Sequence, residues 1–144
     1  MIKLVQNITP DELTSIMNIW QEGNAEGHPF IAETYWKDKS DLVAKMLPKS
    51  NIYAYYDDSK HIIGFLGEMD NYIAGLFVKN EFQTLGIGTQ LINHVKELKS
   101  PLNLHVYKKN SKALKFYLKN RFIIDSEAVD GETNEIEFSM SWKK

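Results

Sequence analysis

The 144-residue chain has no cysteine, which excludes disulfides, thiolate metal sites and a cysteine nucleophile and suits a reducing compartment. It has only four prolines, and no Pro/Gly-rich linker, repeat or low-complexity tract interrupts it. A formal net charge of −2 at pH 7 leaves no basic excess to hold a nucleic acid by bulk electrostatics. No run approaches the roughly 18 apolar residues of a membrane span, and MIKLVQNITPDEL lacks an apolar core of signal-peptide length. The expectation is one domain over residues 1–144, soluble and cytoplasmic, with no nucleic-acid or membrane partner.

His61, His94 and His105 show no metal-ligand spacing, so no metal is expected. Thr9 opens a first helix through a T-x-x-E capping box with Glu12, Pro10 at the first helical position and an Ile8–Leu13 staple. Leu13, Ile16, Met17 and Trp20 keep helical spacing, and Gly23 and Gly27 read as its close. His28-Pro29-Phe30-Ile31 leads to a second helix that Pro48 ends near Leu47. Strands follow at Asn51–Tyr56, by alternation of Ile52, Ala54 and Tyr56, and at Ile62–Leu66, separated by the turn Asp57–Lys60. After Asp70-Asn71 comes an apolar strand, Tyr72–Val78, whose internal Gly75 predicts a bulge or a close approach. A helix from about Gly88 to Leu98, a strand Leu102–Val106, a helix capped at Asn110 or Ser111, and strands Phe122–Ala128 and Glu135–Trp142 complete the order. Two helices thus precede the strands, and the order α-α-β-β-β-α-β-α-β-β requires a mixed sheet in a single α/β domain.

The chemistry concentrates in LFVKNEFQTLGIGTQLINHV. Here Gln83-Thr84-Leu85-Gly86-Ile87-Gly88-Thr89 joins a strand directly to an amphipathic helix. Glycines there let successive N–H groups converge with the helix dipole behind them, an arrangement suited to a pyrophosphate. They equally suit a plain strand-to-helix turn. The spacing matches neither a Walker loop nor a dinucleotide fingerprint.

Gln83-x-x-Gly86-x-Gly88 resembles the coenzyme loop of the GNAT superfamily, Gln/Arg-x-x-Gly-x-Gly/Ala at the same junction. Asn110-x-x-Ala113-x-x-Phe116-Tyr117 is similar to that family's second signature helix, and the order of elements follows the fold from end to end. Arg121-Phe122 stands where the family usually has Gly-Phe. The GHPFI segment, with Tyr35 and Trp36, also resembles a bacterial subgroup that includes protein-lysine acetyltransferases.

The resemblance implies a mixed sheet with two central strands splayed around acetyl-CoA, and direct transfer of the acetyl group to a primary amine in a ternary complex. The acceptor is then a protein lysine, an N-terminus or a small amine. A domain that binds acyl-CoA without turnover, as a sensor or interaction module, is the alternative. Carried onto this chain, Leu76, Phe77 and Val78 contact the coenzyme through backbone, with Gln83, Thr84, Leu85, Gly86, Ile87, Gly88, Thr89, Asn110 and Phe116 completing its site. Tyr117 is the candidate general acid for the departing thiolate, with aromatic packing as the competing role. Glu68 or Tyr72 is the candidate base, the former equally a surface carboxylate. His28 and Phe30 are candidates to border the acceptor, although His28 also suits loop packing and Phe30, Tyr35 and Trp36 also suit a core between helices. Lys108, Lys109, Lys112 and Lys115 read as a solvated helix face. Monomer and homodimer both stay open, because the last strand offers a sheet edge.

Overall fold

A computed structural model describes residues 1–144. One seven-stranded sheet runs through it in the order β1-β2-β3-β4-β5-β7-β6. The strands are β1 (Ile2–Leu4), β2 (Asn51–Tyr56), β3 (Ile62–Met69), β4 (Tyr72–Val78), β5 (Leu102–Tyr107), β6 (Ile123–Val129) and β7 (Ile136–Trp142). The helices are α1 (Pro10–Gly27), α2 (Glu33–Met46), α3 (Ile87–Leu98) and α4 (Ser111–Lys119). No helix is long and apolar enough to cross a membrane.

The capping box at Thr9 forms in full, with Thr9 Oγ1 accepting from Glu12 N–H and Glu12 accepting from Thr9 N–H. Three sequence expectations need correction. β1 precedes both helices and pairs with β2; three residues with a mostly exposed pattern carry no periodic signal. α1 does not close at Gly23 but continues to Gly27, because Gly23 is a packing position: a Cβ there would lie 2.5 Å from the Phe77 ring. The last strand is not an edge, since β7 is inserted between β5 and β6 and β6 takes the edge, exposed along its whole length.

Apolar packing divides between the two faces of the sheet. Ile16, Ile19 and Trp20 of α1 meet Ile52, Ala54 and Phe65 on one. Leu91, Ile92 and Val95 of α3, with Tyr117 of α4, meet Ile63, Ile73, Leu104 and Val106 on the other. Central β3 is covered on both sides and buried without a break from Ile62 to Glu68, as a doubly covered strand must be. Each fully buried Leu or Ile contributes roughly 1.5–3 kcal/mol relative to exposure.

Two features open the sheet. β4 carries the bulge expected at Gly75: Gly67 pairs with Gly75 and Glu68 with Ile73, leaving Ala74 unmatched. β4 and β5 share a single parallel pair, Tyr72 with Asn103, and beyond it the strands separate.

Candidate active site

The splay of β4 and β5 creates a cleft of about 640 Å³, within the range that accommodates a cofactor-sized molecule. Its walls are Leu76–Val78 of β4, the loop after β4, the first turn of α3, the start of α4 and the end of α1.

Why the chain forms this wall begins with Phe77. Its ring fills the gap between α1 and β4, and a Cβ at Gly23 or Gly75 would come within 2.5 or 2.6 Å of it. The two glycines therefore let helix and strand close on one aromatic ring, leaving the backbone of β4 at the cleft. Beyond it, Gln83 Nε2 donates to the Val78 carbonyl at 3.0 Å, and Lys112 donates to the Gln83 amide oxygen. One side chain thus ties the loop to both β4 and α4.

Gly86 starts α3 at φ +82°, and no side chain caps that helix. The left-handed conformation favours glycine. The unpartnered N–H groups of Ile87, Gly88 and Thr89 face the cleft mouth with the positive end of the dipole behind them, an anion-binding arrangement. Gly88 acts through packing instead, since a Cβ there would lie 3.3 Å from the Phe116 ring, and so it sets the approach of α4 to α3.

Of the expected coenzyme residues, Leu76, Phe77, Val78, Gln83, Thr84, Gly86, Ile87, Gly88, Thr89, Asn110 and Phe116 line the cleft. Leu85 does not. It lies between two left-handed residues, Thr84 at φ +68° and Gly86, and its side chain is 64% exposed. Of the four lysines read as a solvated face, Lys109 and Lys112 line the cleft, as does Lys119, while Lys108 and Lys115 do not. Their spacing around the Asn110 cap was the available signal.

Asn110 accepts from Ala113 N–H at 3.2 Å and so caps α4. Its amide nitrogen lies 3.2 Å from His28 Nε2, so the side chain already spends both ends within the protein. His28 stacks on Trp36 at 5.1 Å and meets Phe30 and Tyr107 edge-on. Burial, opposed by its backbone hydrogen bond with Asn24, pushes His28 down to about 4, so it is neutral at pH 7 and a weak proton acceptor. It lines the cleft; Phe30 packs behind it and does not reach the wall.

Tyr117 is 8% exposed, packs edge-on between Phe116 and Phe122, and lines the cleft. Burial raises its phenol well above the ordinary value, with Tyr72 adding to the effect. Tyr117 thus packs against its aromatic neighbours and also lines the cleft. Arg121, in place of the usual glycine, holds φ +70°. Arg121 N–H bonds to Leu118 O at 3.1 Å and Phe122 N–H to Tyr117 O at 3.0 Å, a Schellman cap that fixes the turn of α4 bearing Tyr117.

The two base candidates separate sharply. Glu68 is neither at the surface nor in the cleft: its side chain has no exposure. Lys99 Nζ donates to both carboxylate oxygens at 2.8 Å, Asn51 Nδ2 donates at 2.8 Å and Asn71 N–H at 2.8 Å. Burial pushes Glu68 up, but the bonds from Lys99, Asn51 and Asn71 together hold it below the ordinary carboxylate value. A fully bonded carboxylate sealed from the cleft has no lone pair for an incoming proton, so the structure assigns Glu68 to the β2–β3–β4 framework. Tyr72 stands where the splay begins, 37% exposed, with its hydroxyl 2.8 Å from His105 Nδ1, and like Glu68 it is not among the residues lining the cleft. His105 carries no signal in the sequence beyond its place in a strand.

Residues 48–124 match the acetyltransferase (GNAT) domain. Peptidyl-lysine N-acetyltransferase YiaC of Escherichia coli (strain K12) is 33% identical over 141 residues, covering 96% of this chain and 96% of that protein. Peptidyl-lysine N-acetyltransferase YjaB of Salmonella typhimurium is 26% identical over 112 residues, or 78% of this chain and 77% of that one. In fold, the PaiA N-acetyltransferase of Thermoplasma acidophilum in complex with coenzyme A superposes with a TM-score of 0.80 at 20% identity, covering 100% of this chain and 99% of that one. The chain belongs to the GNAT family of acetyltransferases.

Proposed function

We propose that this protein transfers an acetyl group from acetyl-CoA to the side-chain amine of a protein lysine, by direct attack within a ternary complex. The single observation that carries the reading is the continuity of the cleft. It runs from the uncapped start of α3, suited to a pyrophosphate, past the β4 backbone to Tyr117. Coenzyme A bound to PaiA supports the donor. The peptidyl-lysine acceptors named for YiaC and YjaB support the acceptor.

The pyrophosphate sits on the N–H groups of Ile87–Thr89, with Lys109, Lys112 and Lys119 adding charge. Backbone N–H groups of Leu76–Val78 hold the pantetheine and polarise the thioester oxygen as negative charge develops. Tyr117 gives its proton to the departing sulfur. A phenol near 10 is a weaker acid than a thiol near 8.5, so transfer to a fully formed thiolate is uphill by about 2 kcal/mol at reference values. The step becomes favourable because the attacking nitrogen, strongly acidic once bonded to the acyl carbon, returns a proton to Tyr117 as sulfur leaves.

The test is mass spectrometry after incubation with acetyl-CoA and three acceptor sets: internal-lysine peptides with blocked N-termini, peptides with a free N-terminus and no lysine, and small polyamines. Acetylation confined to the lysine peptides is the expected result. Modification of N-termini or polyamines alone would overturn the acceptor and leave the transfer chemistry standing.

A further inference from the structure

His28 closes α1 as its C-cap, with its N–H bonded to Asn24 O at 2.9 Å and its carbonyl accepting from Ile31 N–H at 3.0 Å. Three rings hold the imidazole. Trp36 stacks on it at 5.1 Å, while Phe30 and Tyr107 meet it edge-on at 5.7 and 5.1 Å. Backbone and ring are both anchored, and at the cleft wall Nε2 comes to 3.2 Å from Asn110 Nδ2. Gly27, which lines the same wall, permits this approach, since a Cβ there would itself lie 3.2 Å from that nitrogen.

The neighbours of this contact fix where its protons sit. Ala113 N–H donates to Asn110 Oδ1, so the amide oxygen faces α4 and the amide nitrogen faces His28. An amide nitrogen only donates. Nε2 must therefore accept, and the ring carries its proton on Nδ1. Burial holds the imidazole down to about 4, so the Nε2 lone pair is present at pH 7. Nδ1, by contrast, is buried without a hydrogen-bond partner. A buried, unpaired N–H costs free energy that a phenylalanine among the same three rings would not. Packing alone therefore does not explain an imidazole here; what the imidazole adds is the acceptor facing Asn110. The Asn110 amide has two hydrogens to donate. One goes to His28, and the other is left on a residue that lines the cleft.

We propose that His28 is a positioning residue for the coenzyme: by accepting one hydrogen of the Asn110 amide, it aims the other at a carbonyl of the bound acetyl-CoA arm, whose amides supply such carbonyls. The ligand in this proposal rests on the acetyl-transfer reading of the same cleft. His28 touches no reacting atom. Without its bond, the Asn110 side chain is held only through Ala113, and its amide must be ordered when the coenzyme binds instead of beforehand, which weakens affinity.

Two variants separate the hydrogen bond from the packing. His28→Phe keeps a ring among Phe30, Trp36 and Tyr107 and removes the acceptor; His28→Gln removes the ring and returns an acceptor oxygen near the place of Nε2. Calorimetry with acetyl-CoA and no acceptor amine reads the outcome. The expected result is binding by the wild type, weakened roughly five- to tenfold in His28→Phe and largely restored in His28→Gln. Wild-type affinity in His28→Phe, or no recovery in His28→Gln, would overturn the proposal while leaving the acetyl-transfer reading intact. Failure of the wild type itself to bind acetyl-CoA would instead sink that reading, and the proposal with it. NMR of the His28 ring in the free wild-type protein needs neither variant nor ligand. Its proton is expected on Nδ1, with Nε2 unprotonated; a proton on Nε2 would refute the assignment.

Discussion

Replacing Lys99 with Met keeps the aliphatic stem of the side chain and takes the ammonium from a carboxylate with none of its surface in water. Removing one partner of a buried ion pair costs about 3–5 kcal/mol. Glu68 retains its bonds from Asn51 and the Asn71 N–H, and Lys99 is itself 27% exposed, so the low end applies, about 3 kcal/mol. At about 3 °C per kcal/mol for a chain of this size, the melting temperature should fall by about 10 °C. The loss must also depend on pH. In the wild type the folded-state pKa of Glu68 lies below its unfolded value, so its contribution is present above the unfolded pKa, about 4.3, and is lost as pH falls through the lower folded value. Without the ammonium, burial pushes that pKa back up, and the carboxyl can be protonated at less cost. The gap between wild type and variant should therefore be full near pH 7 and narrow below about pH 4.3. Urea unfolding at pH 7 and pH 4 measures it. A loss under about 0.5 kcal/mol, or an equal loss at both pH values, would refute the reasoning. Acetyl transfer by the folded variant at 25 °C should match wild type, since the pair lies outside the cleft.

Gly23→Ala brings a Cβ to 2.5 Å from the Phe77 ring, whose opposite edge lies over Gly75 of its own strand. Overpacking of this kind costs about 1–3 kcal/mol, and acetyl-CoA affinity measured by calorimetry should weaken with it; Phe77→Leu added to the variant should recover much of the stability. Arg121→Gly relieves a left-handed non-glycine cap and removes a cation that, after burial, holds the Lys96 ammonium down. A gain of roughly 0.5–1 kcal/mol in urea unfolding is expected.

The sequence makes the cleft's parts legible where a single local rule decides them. Thr9 and Glu12 specify the start of α1, Gly86 specifies a left-handed helix start, and Gly75 marks the bulge. What escapes it is long-range. β1 is three residues with no alternation to detect. Gly23 looks like a terminator until Phe77, far along the chain, is seen against it. Glu68 resembles a turn-side carboxylate because nothing local announces Lys99, which lies 31 residues away. His105 is silent for the same reason: its partner Tyr72 meets it only through the one parallel pair of the sheet. Leu85 belongs to the motif by spacing, yet two left-handed residues turn its side chain outward.

The most direct test of acetyl transfer is free-thiol release from acetyl-CoA with an internal-lysine peptide, run on wild type and Tyr117→Phe alongside calorimetric binding of acetyl-CoA to both. Peptide-dependent release by the wild type, lowered about 10²-fold or more in the variant while both bind acetyl-CoA equally, is the predicted result. Binding without peptide-dependent release, or full release by Tyr117→Phe, would contradict it.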